Sequence, residues 1–225
     1  MKLYAYGEDG MTLWALCHKL DVILSAVNDS SDPEGCLVFY RPSFGRASNQ
    51  GSFGEPDFVM CSQRAVYLGE SKWHFSSWAK RSDGLRGFDL RPYALRQATL
   101  KFYISEWLKQ RPSSWQAFVG NLQSAPPAGH VPPKDDTRLA DTLESVLTLM
   151  ADHFGDQREV EVHDLLLYIY DDLTPDADWW VQPATWKRAI VCCSEVSVGR
   201  GARHDSRWRR LIELPRAASG RGEQK

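Results

Sequence analysis

Two acids and an ammonium fall close together in the segment GEPDFVMCSQRAVYLGESKW, residues 54–73: Asp57, Glu70 and Lys72. Apolar runs on either side of Gln63 and Arg64 predict a pair of strands, 57–61 and 65–73. With the turn at Gln63-Arg64, Ser62 faces Ala65, Cys61 faces Val66, Val59 faces Leu68, and Asp57 stands opposite Glu70. Side chains alternate between the faces of a strand, so Asp57, Val59, Cys61, Val66, Leu68, Glu70 and Lys72 share one side of the sheet. Gln63-Arg64 is not a strong two-residue turn sequence, and a different register would spoil the pairing. Two carboxylates directly opposite one another repel. A hard divalent cation offsets the repulsion, since Mg²⁺ takes oxygen ligands and binds through one or two carboxylates together with water and substrate phosphate. Lys72 projects from the same face and reaches an attacking water or a phosphate oxygen. That set of groups suits hydrolysis of a phosphodiester.

The hairpin must be held by other elements. Leu13, Trp14, Leu16, Cys17, Leu20, Ile23, Leu24 and Val27 recur at helical spacing and predict one core helix over 11–27, preceded by the acids Glu8 and Asp9. Residues 35–40 read as a short strand, and the Gly- and Ser-rich stretch 43–54 as a flexible loop. A helix follows over 89–109, with Pro92 tolerable in its first turn and apolar residues on more than one face, so that it is largely enclosed. Tyr93, Gln97 and Lys101 fall at i, i+4 and i+8 and share one face of it. On an enclosed helix they need polar partners, although Lys101 can equally snorkel to solvent. SAPPAGHVPP is a linker or surface loop. Beyond it Asp135 or Asp136 caps an amphipathic helix whose Leu139, Leu143, Val146, Leu147 and Met150 form one apolar, core-facing stripe. Residues 160–170, with the run LLLYIY, and 188–198 read as later strands.

The string Pro56-Asp57, an apolar strand, then Glu70-Ser71-Lys72-Trp73 resembles the signature of the PD-(D/E)xK nuclease superfamily, the restriction-endonuclease-like fold. The motif covers some twenty residues, and the order of predicted elements extends the resemblance loosely from residue 1 to about 170. It implies an α/β fold with an αβββαβ core, a mixed central sheet flanked by helices. The two acids would bind the divalent metal, matching Asp57 and Glu70, the lysine supporting the nucleophilic water would be Lys72, and Ser71 would add its backbone carbonyl to the metal shell. Many members carry a glutamate in the first core helix pointing at the metal. Glu8 is the choice for it, with Asp9 and Asp21 as rivals, and Glu8 would otherwise serve only the helix N-terminus. Some members place a glutamine in the second core helix, which Gln97 matches. The resemblance therefore implies a Mg²⁺-dependent nuclease, with Mn²⁺ able to substitute, acting on nucleic acid, foremost DNA, in defence or repair. The rival expectation is a catalytically inactive nucleic-acid-binding or protein-interaction module of the same fold, working as a homodimer or with a partner subunit. A metal-dependent phosphatase acting on small molecules is a third.

Composition bounds these readings. The chain has 225 residues, 43% hydrophobic and 25% charged, which supports one sizeable core and rules out a disordered or fibrous chain. The expected organisation is a single domain over 1–215 with a helical insertion at 112–158 and a disordered basic tail at 216–225. No apolar run approaches the ~20 residues needed to span a bilayer. The first residues carry no apolar stretch resembling a secretory signal, so a cytoplasmic location without membrane attachment is expected. Five cysteines without C-x-x-C spacing read as buried free thiols, and the six scattered histidines suggest no zinc site. Net charge is only −2, but residues 198–225 hold seven Arg and one Lys against three acids. Arg200, Arg203, Arg207, Arg209 and Arg210 are dense enough to meet phosphates or to form a solvated tail. Residues 133–178 carry 13 acids and three bases and should face away from a polyanion. Lys80, Arg81, Arg86 and Arg91 would hold a substrate backbone. Trp179 and Trp180 can stack on bases, and His74 can donate to phosphate. Walker-type, nucleophile-elbow and dinucleotide patterns are absent from the sequence.

Overall fold

The computed structural model describes residues 2–42, 44, 55–73, 79–80, 86–127, 130–170, 180–194, 196 and 208–213. Its elements in chain order are β1 (Lys2–Tyr6), α1 (Gly7–His18), α2 (Leu20–Ala26), β2 (Leu37–Tyr40), β3 (Phe58–Cys61), β4 (Ala65–Trp73), β5 (Ala79–Lys80) and β6 (Arg86–Asp89). They continue as α3 (Ala94–Gln110), α4 (Trp115–Gly120), α5 (Arg138–Phe154), β7 (Glu161–Tyr170), β8 (Trp180–Gln182), β9 (Lys187–Cys192) and β10 (Trp208–Glu213). The fold is α/β. A five-stranded sheet runs in the order β2-β3-β4-β7-β9, with β2, β3 and β4 antiparallel and β4, β7 and β9 parallel.

Layering follows from which residues each strand presents. Val59, Cys61, Val66 and Leu68 face α3, α4 and α5, packing against Leu100, Tyr103, Trp107, Phe118, Leu143, Leu147 and Met150. Phe58, Met60, Ala65, Tyr67 and Trp73 face the other way, onto Met11, Trp14, Ile23 and Leu24 of α1 and α2. The parallel step from β4 to β7 requires a long crossover, and α3, α4 and α5 supply it. The segment 112–158, expected as an insertion, thus builds much of one helical layer. Its α5 stripe of Leu143, Val146, Leu147 and Met150 is buried and Leu139 is partly so. β7 lies between two strands and is covered on both faces, which accounts for its unbroken apolar run. Arg111 ends α3 in a left-handed conformation (φ 51°) and donates to carbonyls of Ala151 and Gln157, tying α3 to the end of α5.

Several boundaries differ from expectation. The helix expected over 11–27 begins earlier, at Gly7, whose φ of +65° suits glycine, and breaks at Lys19 into α1 and α2. The cap of α5 is Thr137, whose Oγ1 accepts from the Ala140 amide at 3.2 Å, rather than Asp135 or Asp136. A hydroxyl at that position closes the first turn directly. The helix expected from Asp89 is a strand end followed by a 3₁₀ turn, Arg91–Tyr93, before α3. The strand expected over 188–198 is shorter, Lys187–Cys192, and the basic stretch near the end contains β10, paired antiparallel with β1. Of the five cysteines expected to be buried, Cys61 and Cys193 are, Cys36 is half-buried, and Cys17 and Cys192 are exposed.

His74, Arg81, Trp179, Arg200, Arg203, Arg207, most of the stretch 43–54 and the tail 216–225 lie outside the described residues. Lys80 and Arg86 fall in β5 and β6, Trp180 in β8, and Arg209 and Arg210 in β10. Arg91 is engaged with Asp89 at 2.6 Å. Among the described residues no helix is long and apolar enough to cross a membrane.

Candidate functional site

The hairpin carries the expected register: Cys61 pairs with Val66, Val59 with Leu68 and Phe58 with Gly69. A weak turn sequence achieves this because the turn is fastened from outside. Ser62 Oγ accepts from the amides of Arg64 and Ala65 at 3.1 and 3.0 Å and donates to Asp29 Oδ2 at 2.6 Å. Asp29, at the end of α2, also accepts from Tyr67 Oη at 2.8 Å and from the Ser31 amide at 2.9 Å. Burial alone would raise the Asp29 carboxyl, but its donors Ser62, Ser31 and Tyr67 outweigh that and hold it down to about 2.

At the opposite end β3 stops at Phe58, whereas β4 continues beside β7 to Trp73. Asp57 is therefore not a ladder residue, as the expected strand 57–61 would have made it. It sits one step beyond, its amide donating to the Gly69 carbonyl at 3.0 Å. The main-chain groups of β4 that β3 no longer reaches are taken by acids: the Ser71 amide donates to Asp57 Oδ2 at 2.7 Å, and the Trp73 amide to Glu8 Oε2 at 3.1 Å. Glu8 comes from the first turn of α1, where a carboxylate is also favoured by the helix dipole. Thr12, one turn on, donates to the Glu8 carbonyl at 2.8 Å and shares a 2.7 Å hydrogen bond with Ser71 Oγ, fastening α1 to β4.

Among the three first-helix acids, Glu8 is the one that reaches β4. Asp9 pairs with Arg41, and Asp21 lies exposed on α2. Lys72 Nζ donates to the Ser71 carbonyl at 2.7 Å and lies 3.3 Å from Glu8 Oε1. An ammonium thus occupies the carbonyl expected to face a metal. Trp73 points away, into the α1 and α2 layer, as its parity requires.

Burial and charge act together on these groups. Burial and the neighbouring Asp57 push the Glu70 carboxyl above the usual carboxylate range, against the opposing pull of Arg96 and Lys72. Asp57 is raised chiefly by burial, opposed by the Ser71 amide and Lys72. Burial would lower Lys72, but Glu8, Asp57, Tyr93 and Glu70 outweigh it and keep the ammonium above the usual lysine value.

Arg96 of α3 is the residue missed at the level of sequence. Its Nη2 pairs with Glu70 Oε1, its Nη1 donates to the Glu55 carbonyl at 2.8 Å, and its guanidinium lies 4.8 Å from the centre of the Tyr93 ring. The helix is exposed along one side, at Ala94, Leu95, Ser105 and Lys109, rather than largely enclosed as expected, and the available signal was an arginine in line with the inward-facing Leu100, Tyr103 and Trp107, which demands a carboxylate partner. Gln97, next to it, is 2% exposed with neither amide atom partnered among the described residues. Lys101 does not snorkel freely: it meets Asp164 of β7 at 2.7 Å.

Asp57, Glu70, Glu8, Lys72 and Arg96 therefore converge where β3 ends. The donor set, the buried carboxylate of Glu70, the half-buried one of Asp57, the Ser71 carbonyl and the helix carboxylate of Glu8, is all oxygen and fits a hard divalent cation. The carboxylates are interleaved with Lys72 and Arg96, and among the described residues no three acid, histidine or cysteine side chains are gathered tightly enough to hold a metal ion. Comparison with models of protein families, with curated proteins and with solved structures finds no match to this chain.

Proposed function

We propose that the chain is a divalent-metal-dependent nuclease of the PD-(D/E)xK type, hydrolysing phosphodiester bonds of DNA. The observation that carries this reading is the convergence of Asp57, Glu70, Glu8 and Lys72 at the end of β4, beyond the point where β3 stops. The sequence of α1, β2, β3, β4, α3 and β7 follows the αβββαβ order of the restriction-endonuclease-like core, with three antiparallel strands and a parallel fourth. Asp57, Glu70 and the Ser71 carbonyl would hold Mg²⁺ or Mn²⁺, with Glu8 behind them. When bound, such an ion lowers the pKa of a coordinated water and polarises a phosphoryl oxygen. The chain's own part is to orient: Asp57 and Glu8 are anchored on the Ser71 and Trp73 amides, and Lys72 offers its donors to the incoming water and to charge developing on phosphoryl oxygens.

A second reading rests on a different observation. Arg96 and Lys72 neutralise Glu70 and Glu8 without any ion, the arrangement of a binding module that has kept the fold without the chemistry. Cleavage of plasmid and oligonucleotide DNA with and without Mg²⁺, by wild type, Asp57→Ala and Lys72→Ala, decides between them. The nuclease reading expects cleavage by wild type only, and only with the ion. Equal activity in all three proteins identifies a contaminant. DNA binding that ignores both the ion and Asp57→Ala, with no cleavage, selects the module.

A further inference from the structure

Arg96 is a largely enclosed cation with one acid partner, Glu70, and unused donor capacity among the described residues. Its side chain is 11% exposed and that of Glu70 is 4% exposed. One terminal nitrogen meets Glu70 and the other the Glu55 carbonyl, while Nε is buried with no acceptor among the described residues. The Tyr93 ring lies against the guanidinium and limits its orientation. A buried guanidinium does not leave its carboxylate unless another anion replaces it, because an uncompensated buried charge is strongly destabilising. The fork of a guanidinium matches a phosphate as well as it matches a carboxylate.

Charge counting gives the exchange a direction. Asp57, Glu70 and Glu8 face Lys72 and Arg96, leaving one net negative charge when all are ionised. A divalent ion makes the site singly positive, and the one negative charge of a phosphodiester returns it to neutrality. If Arg96 is removed, the ion-loaded site is already neutral and has no charge left for the diester.

Resting on the metal-dependent nuclease reading, we propose that Arg96 is a two-partner residue: it neutralises Glu70 in the ion-free site and passes its guanidinium to a non-bridging oxygen of the substrate phosphodiester once an ion takes Glu70. Ion and substrate then bind cooperatively through one side chain. Arg96 opposes the ion when substrate is absent and holds the substrate when the ion is present.

The experiment measures Ca²⁺ binding by calorimetry, and binding of a short DNA duplex at saturating Ca²⁺ by fluorescence anisotropy, for wild type, Arg96→Gln and Arg96→Lys. Removing the competing charge should tighten Ca²⁺ binding in Arg96→Gln by roughly fivefold or more, the lower end of ordinary couplings between ligands. Duplex affinity in the same variant should fall by at least a similar factor. Arg96→Lys keeps the charge and loses the fork, so Ca²⁺ binding should stay near wild type and duplex affinity should lie between the other two. A merely structural role would weaken both ligands together. Arg96→Gln binding Ca²⁺ no more tightly than wild type, or binding the duplex equally well, overturns the proposal. If Arg96→Gln does not fold, unchanged duplex affinity in Arg96→Lys overturns it. Wild type that binds neither Ca²⁺ nor Mn²⁺ overturns the nuclease reading itself, an outcome distinct from ion binding that is indifferent to Arg96.

Discussion

Gly69 stands opposite Phe58 in the β3–β4 ladder, one residue before Glu70 and directly beside Asp57. A Cβ built on Gly69 would fall inside van der Waals contact with Cε1, Cζ and Cε2 of the Phe58 ring. That ring is fully buried in the layer with α1 and α2, at 0% exposure. Backbone propensity alone predicts that Gly69→Ala stabilises the strand by about 0.5–1 kcal/mol. Overpacking a well-filled core costs about 1–3 kcal/mol. The clash involves three ring atoms, so the cost should win, leaving a net loss of about 1–2 kcal/mol. For a domain of this size the melting temperature should then drop by roughly 2–8 °C. Calorimetric melts of wild type, Gly69→Ala, Phe58→Leu and the double variant check this. The smaller leucine should make room, so the double variant should be less destabilised than the sum of the singles by at least ~0.5 kcal/mol. Because Asp57 precedes Phe58 in the chain, the proposed nuclease reading expects cleavage by Gly69→Ala to fall as well. A Gly69→Ala protein as heat-stable as wild type would refute the reasoning, since the aromatic cover over this glycine could not then be tight.

Two further expectations concern stability. Asp29 is 7% exposed and held at about 2 against an ordinary 3.8, so its ionised form contributes about 2 kcal/mol. The sign follows from the lowered value: the contribution is complete above the ordinary value and is lost as pH falls through about 2. Urea melts of wild type and Asp29→Asn should differ most near neutral pH and converge in acid, and a difference independent of pH would contradict the assignment. Lys101→Met leaves Asp164, whose side chain is 12% exposed and whose Oδ1 has no hydrogen-bond partner among the described residues, as an uncompensated carboxylate. A loss of about 2–4 kcal/mol is expected, largely restored in Lys101→Met/Asp164→Leu, and no recovery in the double variant would count against a direct pairing.

The parts of this fold legible in the sequence are those specified by local pattern. Alternation placed Val59, Cys61, Val66 and Leu68 on one face, helical spacing identified the stripe of α5, and the double-sided burial of β7 shows as a continuous apolar run. The pairing of β1 with β10 left no local trace, because its two strands lie at opposite ends of the chain. The break at Lys19 was hidden by an apolar period that continues across it. At the site, Asp57, Glu70 and Lys72 were visible as residue types at suggestive spacing and Glu8 only through the family resemblance, and the structure brings the four together. Arg96 was harder to see, because exposed Leu95 and half-buried Phe102 spread the apolar residues of α3 beyond its buried side and leave no single stripe against which an intruding charge stands out. Nor did the sequence reveal that Asp57 and Glu8 would be fastened by main-chain amides, since backbone donors carry no residue signature.

The clasp formed by Asp29, Ser62 and Tyr67 has a consequence at a distance. It grips the bend of the hairpin, five residues and roughly 16 Å of strand away from Asp57, yet it decides which side chains arrive at the far end. A slip of one position would send Ser71 toward α3 and swing Glu70 into the oily layer beneath α1. A serine and an aspartate that touch nothing reactive thus act as an indexing pin, and losing them would show first as misassembled, inert protein.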